Sequence, residues 1–111
     1  MKKLFKNYTY EFDKNERKII INFCKQAIKQ LDGDKQYFAD VNSFKSIMNK
    51  VNDSSDEIKL TKDESRRLSV QLKENIKHIE KQMKNSWFLK KWLYKTVFNQ
   101  YKSLLEDHFS N

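Results

Sequence analysis

The chain has 111 residues, with 23 Lys and Arg against 15 Asp and Glu, a formal charge of +8 and a mean hydropathy of −0.93. A single glycine, Gly33, and no proline leave little of the turn chemistry that β-hairpins, sandwiches and phosphate-cradling loops require. With 38% hydrophobic and 14% aromatic residues the chain is too apolar to be disordered, and its length and composition predict one all-α domain.

Residues 1–12 read as an extended N-terminal arm. Tyr8, Tyr10 and Phe12 alternate with Thr9 and Glu11, the period of a strand with one face buried, and 57–60 is the one segment suited to pair with it. The start, Met1, Lys2 and Lys3, has the charge of a signal peptide, but no apolar stretch follows, so a cytoplasmic protein is expected. The first helix, 14–31, opens on a capping box from Asp13 to Glu16 and stops at Asp32 and Gly33. Ile20, Phe23, Cys24, Ala27, Ile28 and Leu31 form its inward face, while Lys14, Lys18, Lys25 and Lys29 share a stripe roughly 60° wide on the other side. A second helix is predicted over 35–51 with Tyr37, Phe38, Val41, Phe44, Ile47, Met48 and Val51 inward, followed by a polar loop at 52–56.

The third helix, 62–84, begins at another capping box, Thr61 to Glu64, with Leu60 placed as a hydrophobic staple. Leu68, Leu72, Ile76, Ile79 and Met83 form its apolar seam. Asn85 and Ser86 mark a break, Ser86 capping a last helix over 87–109. Four amphipathic helices with short connections predict an up-and-down bundle with an extended arm. Without the break, the alternative is three helices, the last long and continuous.

Chemistry is sparsely represented. The chain holds two histidines, His78 and His108, has no nucleophile elbow, and places its one cysteine, Cys24, within an apolar stripe, so no enzyme is expected. Glu74 and His78 are spaced as two metal ligands would be, but no third ligand accompanies them, so neither metal nor cofactor is expected. Glu106, Asp107 and His108 read as a surface turn. Twenty of the 23 cations are Lys, a hydrated point charge suited to long-range attraction, and planar phosphate recognition by Arg is limited to Arg17, Arg66 and Arg67.

Two binding surfaces follow. On the third helix, Lys62, Arg66, Lys73 and Lys77 form a stripe able to hold nucleic acid or an anionic surface without sequence preference, although Asp63, Glu64, Glu74 and Glu80 are interleaved with it. On the last helix, twelve of the 24 positions in 86–109 are apolar, more than one stripe uses. Leu93, Val97, Leu104, Tyr101, Tyr94, Leu105 and Phe98 fill an arc of roughly 140° suited to bundle packing. Phe88 and Trp92 fall outside it, on the flank that carries Lys91 and Lys95. Their two rings, if exposed, present ~300–500 Å² of apolar surface. Three covers suit them: the arm with Phe5, Tyr8, Tyr10 and Phe12; a protein partner or second copy; or an anionic membrane surface. The sequence thus predicts a small basic interaction protein that binds a protein partner through Phe88, Lys91, Trp92 and Lys95. Its alternative is non-specific binding to nucleic acid or an anionic membrane through the Lys stripes. In size, charge and architecture the plan is similar to that of bacteriocin immunity proteins, which implies a non-enzymatic binding role at a membrane.

Overall fold

The computed structural model describes residues 8–53, 57–85 and 88–109, with the backbone alone for 88–90. In chain order the elements are β1 (Tyr8–Tyr10), α1 (Lys14–Leu31), a 3₁₀ turn (Lys35–Tyr37), α2 (Phe38–Asp53), β2 (Ile58–Leu60), α3 (Lys62–Lys84), α4 (Phe88–Leu104) and a π-helical turn (Leu105–Phe109). The fold is all-α, four helices with one small sheet, and α3 and α4 are separate helices rather than one continuous rod. Asn85 closes α3 in a turn, its amide donating to the Gln82 carbonyl at 3.2 Å and its side chain to the Lys81 carbonyl at 3.3 Å. The expected cap at Ser86 lies outside the described residues, as do Phe5, Trp87 and the middle of the polar loop. Packing divides the chain into two compact units, Met1–Leu68 and Ser69–Asn111, so that α3 contributes to both.

In the first unit, α1 starts where its capping box dictates: Asp13 Oδ1 accepts from the Glu16 amide at 2.7 Å, and Glu16 Oε1 accepts from the Asp13 amide at 3.0 Å. It ends when Asp32 leaves the helical region, followed by Gly33 at φ +93°, a left-handed conformation that side chains disfavour. The chain then folds back, and α1 packs on α2 through Ile20, Phe23, Cys24 and Ala27 against Val41, Phe44, Ile47 and Val51. The Phe23 and Phe44 rings meet edge to face, 6.4 Å apart.

The described part of the arm holds a strand. β1 pairs antiparallel with β2 in the register Tyr8 to Leu60, Thr9 to Lys59 and Tyr10 to Ile58, the partner segment that the sequence offers. Thr9 and Lys59 face water, while Tyr10, Ile58 and Leu60 are buried. Tyr10 stacks on Phe12, their ring planes 8° apart, and its hydroxyl shares a short hydrogen bond with Ser65 of α3. Arg17 adds a polar tie: Nε donates to the Phe12 carbonyl at 3.0 Å and Nη1 to the Val51 carbonyl at 3.2 Å, near the C-terminal end of α2 where carbonyls lack helical partners.

Glu64, 7% exposed, carries the junction between α2 and α3. As the capping-box residue it accepts from the Thr61 amide at 2.9 Å, while its own amide donates to Thr61 Oγ1 at 3.0 Å. Its carboxylate also accepts from Ser46 Oγ at 2.5 Å and Lys50 Nζ at 2.6 Å, one turn apart on α2. Beside it, Arg67 reaches Asp40 of α2 at 2.5 Å and Asp63 at 2.8 Å. In the second unit, α3 buries Leu72 and Ile79, with Ile76 and Met83 half-covered, and α4 buries Leu104.

Two inward assignments are corrected. Phe38 is 68% exposed: it opens α2 directly after the 3₁₀ turn, roughly 125° around the helix from the centre of the arc holding Val41, Phe44, Ile47 and Val51. Leu93 is 56% exposed, being the edge position of the apolar arc drawn for α4.

Burial alone would raise the Glu64 carboxyl, but the hydrogen bonds from Lys50, Ser46 and the Thr61 amide outweigh it and leave the group below its ordinary value. A carboxyl depressed in the folded state stabilises fully above its unfolded pKa and loses that contribution as pH falls through the folded one. Glu64→Gln is expected to cost about 1–3 kcal/mol near neutrality. It should also shrink the loss of stability on acidification, as read from urea unfolding across pH; an unchanged acid limb would remove Glu64 from this role.

Candidate interaction face on the last helix

Helix α4 buries little. Leu104 is the one fully buried side chain among its described residues, and Tyr94, Val97, Phe98 and Tyr101 are half-covered. At 100° per residue these positions share one side of the helix, and Trp92 falls roughly 180° from its centre. Its indole is 71% exposed accordingly, and Leu93 beside it is 56% exposed. Lys91 and Lys95 are exposed on the same turns and have no carboxylate partner among the described residues. Thr96 Oγ1 donates to the Trp92 carbonyl at 3.1 Å, an internal helix contact that leaves the indole untouched. Of the four residues expected to form this site, Lys91, Trp92 and Lys95 are therefore accessible, while the side chain of Phe88, the first residue of α4, lies outside the described residues. Leu93, which the sequence reading placed inward, is exposed as well, about 100° around the helix from Trp92.

Two of the arm's four aromatics are engaged within the first unit. Tyr10 and Phe12 are buried in the first unit, with Tyr10 bonded to Ser65 and Arg17 holding the Phe12 carbonyl.

The charge of α4 is one-sided. Its seventeen residues include Lys90, Lys91, Lys95 and Lys102 and no Asp or Glu. Lys102 lies over the Phe98 ring, its Nζ 5.5 Å from the centroid, in cation–π contact.

The alternative stripe on α3 is broken up. Lys62, Arg66, Lys73 and Lys77 are all exposed, but Arg66 pairs with Asp63 at 2.9 Å, which offsets its charge. The guanidinium groups of Arg67 and then Arg66 hold the Asp63 carboxyl below its usual range. Lys73 and Lys77 flank an open groove of about 300 Å³, lined also by Val70, Glu74, Ile76 and Leu105. Glu74 brings a negative charge into that groove between the two lysines.

Groups with catalytic potential are few among the described residues. Cys24 is fully buried, and burial pushes its thiol up to about 12, which leaves it protonated and unreactive. Glu74 and His78 are exposed, and the described residues contain no group of three or more His, Cys, Asp or Glu able to hold a metal ion. No helix among the described residues is long and apolar enough to cross a membrane. Comparison with known proteins finds no matching family, no similar characterised protein and no solved structure of similar fold.

Two measurements check this geometry. With Trp87→Phe, Trp92 is the remaining indole; its emission should be that of a solvated tryptophan and open to iodide quenching, and Trp92→Ala should change stability by less than about 0.5 kcal/mol. A blue-shifted, protected Trp92 would abolish the face. Cys24, for its part, is expected to react with a thiol reagent at neutral pH no faster than its unit opens; immediate labelling of the native chain would contradict the burial.

Proposed function

We propose that the protein is a non-enzymatic helical interaction module that binds a protein partner through the flank of α4 that carries Lys91, Trp92 and Lys95, with Phe88 at its start. The exposed indole of Trp92, set opposite the covered side of its own helix, carries this reading. Tryptophan is the residue most enriched at energetic hot spots of protein interfaces. Leaving its apolar area and that of Leu93 in water forgoes several kcal/mol of burial at ~25 cal/mol per Å². Phe88 and Trp92, spaced i, i+4, have the spacing of anchors on a helix laid into a partner's groove.

Non-specific binding of nucleic acid through the α3 stripe has weaker support. Asp63 offsets Arg66 and Glu74 sits between Lys73 and Lys77, so the counterion release that drives such binding is reduced.

The test is a photo-crosslinker in place of Trp92, irradiated in an extract of the cells that make the protein. A discrete protein adduct is expected from position 92 and none from the exposed Asn49 of α2. Adducts to lipid or nucleic acid, or the same pattern from both positions, would reject the proposal.

A further inference from the structure

We infer a second binding surface, on a different helix: the exposed face of α1 holds the phosphate backbone of a nucleic-acid duplex without reading its sequence. Lys14, Lys18, Lys25 and Lys29 are all exposed and fall within a stripe roughly 60° wide. Asn15, Asn22, Gln26 and Gln30, exposed as well, fill about the next 100° around the helix. The face is therefore uniform in sign. The one acid within α1, Glu16, lies roughly 170° from the centre of the lysine stripe and bonds the Asp13 amide in the capping box. Asp13 and Asp32, the acids nearest its ends, are the caps themselves. None of the four lysines has a carboxylate partner among the described residues.

The fold does not require this arrangement. Ile20, Phe23, Cys24 and Ala27, which pack on α2, centre roughly 160° away from the stripe. Lys14 with Lys18 and Lys25 with Lys29 are like charges spaced i, i+4, which weakens a helix. A polyanion suits it better. The stripe runs roughly 22 Å along the helix axis at ~1.5 Å per residue, and a duplex strand presents a phosphate every ~3.4 Å of its own axis. Lys ammonium groups hold such phosphates as point charges, and Asn and Gln side chains donate to phosphate oxygens. The face has no Arg to read base edges and no aromatic ring to stack on unpaired bases, so a duplex backbone fits it and a base sequence or a single strand does not. Arg17, the one arginine of α1, is tied to the Phe12 and Val51 carbonyls. A membrane is the weaker candidate, because an interfacial helix inserts its apolar side into the lipid, and that of α1 is packed on α2. The α3 stripe lacks this uniformity, being interrupted by Asp63 and Glu74.

The experiment titrates the full chain with short DNA and RNA duplexes of unrelated sequence, and with anionic phospholipid vesicles, over a series of salt concentrations. One variant carries Lys14→Gln, Lys18→Gln, Lys25→Gln and Lys29→Gln. A control carries Lys45→Gln, Lys59→Gln, Lys81→Gln and Lys84→Gln, which removes the same charge from exposed positions on α2, β2 and α3. Circular dichroism confirms that the helices persist in both. The expected outcome is binding of DNA duplex, RNA duplex or both at low salt, whatever the sequence, with log K falling against log salt at a slope of about −3.6 for four phosphate contacts. The α1 variant should bind roughly tenfold or more weakly with a flatter slope, and the control should lose less than about threefold. No duplex binding at low salt, a loss in the α1 variant no greater than in the control, or α1-dependent binding to vesicles as tight as to either duplex would overturn the inference.

Discussion

The Glu64 carboxylate meets three demands at one point: it accepts from the Thr61 amide in the capping box of α3 and from Ser46 and Lys50 on α2. An ionised carboxylate with so little exposure is stable only while its lone pairs are occupied. The position of α3 relative to α2 is therefore tied to one side chain, with Arg67 bridging Asp40 and Asp63 on a neighbouring turn. Between the two helices runs β2, whose Ile58 and Leu60 are fully buried, so the same junction delivers the strand on which β1 pairs.

Strands of three residues do not stand alone in water. β1 persists because its flanks are fastened: the Tyr10 hydroxyl to Ser65, the Phe12 carbonyl to Arg17, and both rings into the core. Tyr10 and Phe12 are thereby committed to the first unit, while Trp92 of α4 is 71% exposed.

What could be read from the sequence was what local spacing encodes. Asp13 with Glu16 and Thr61 with Glu64 are three residues apart, so the starts of α1 and α3 were legible, as was the end of α1 at Gly33. The pairing of β1 with β2 was visible in part, as alternation at Tyr8, Tyr10 and Phe12 with 57–60 as the one segment suited to pair. The roles of Ser46, Lys50 and Arg17 were not, since their partners lie 18, 14 and up to 34 residues away and nothing in their spacing marks them. Phe38 and Leu93 were misplaced for a shared reason: each sits at the margin of an apolar arc, where hydrophobicity alone does not say whether a neighbour reaches that far. Trp92 was legible because it lies farthest from the arc. Lys91 and Lys95 could be placed on its flank, but their lack of carboxylate partners emerged only once the ion pairs elsewhere were known.

The two kinds of helix in this protein therefore obey different rules. In α1 and α3, first-turn acids and caps favour the helix that forms, and α3 adds ion pairs from Asp63 to Arg66 and Arg67, the mutual consistency expected of a chain selected to fold. Helix α4 departs from it three times over: cations at its positive end, no acid anywhere along it, and an indole facing away from the side it buries. None of these helps the helix fold, and the lysines at its start oppose it through the dipole. Departures of this kind that coincide on one face point to a requirement outside the fold. A partner docked on Trp92, as proposed, would cover the indole that the helix leaves in water.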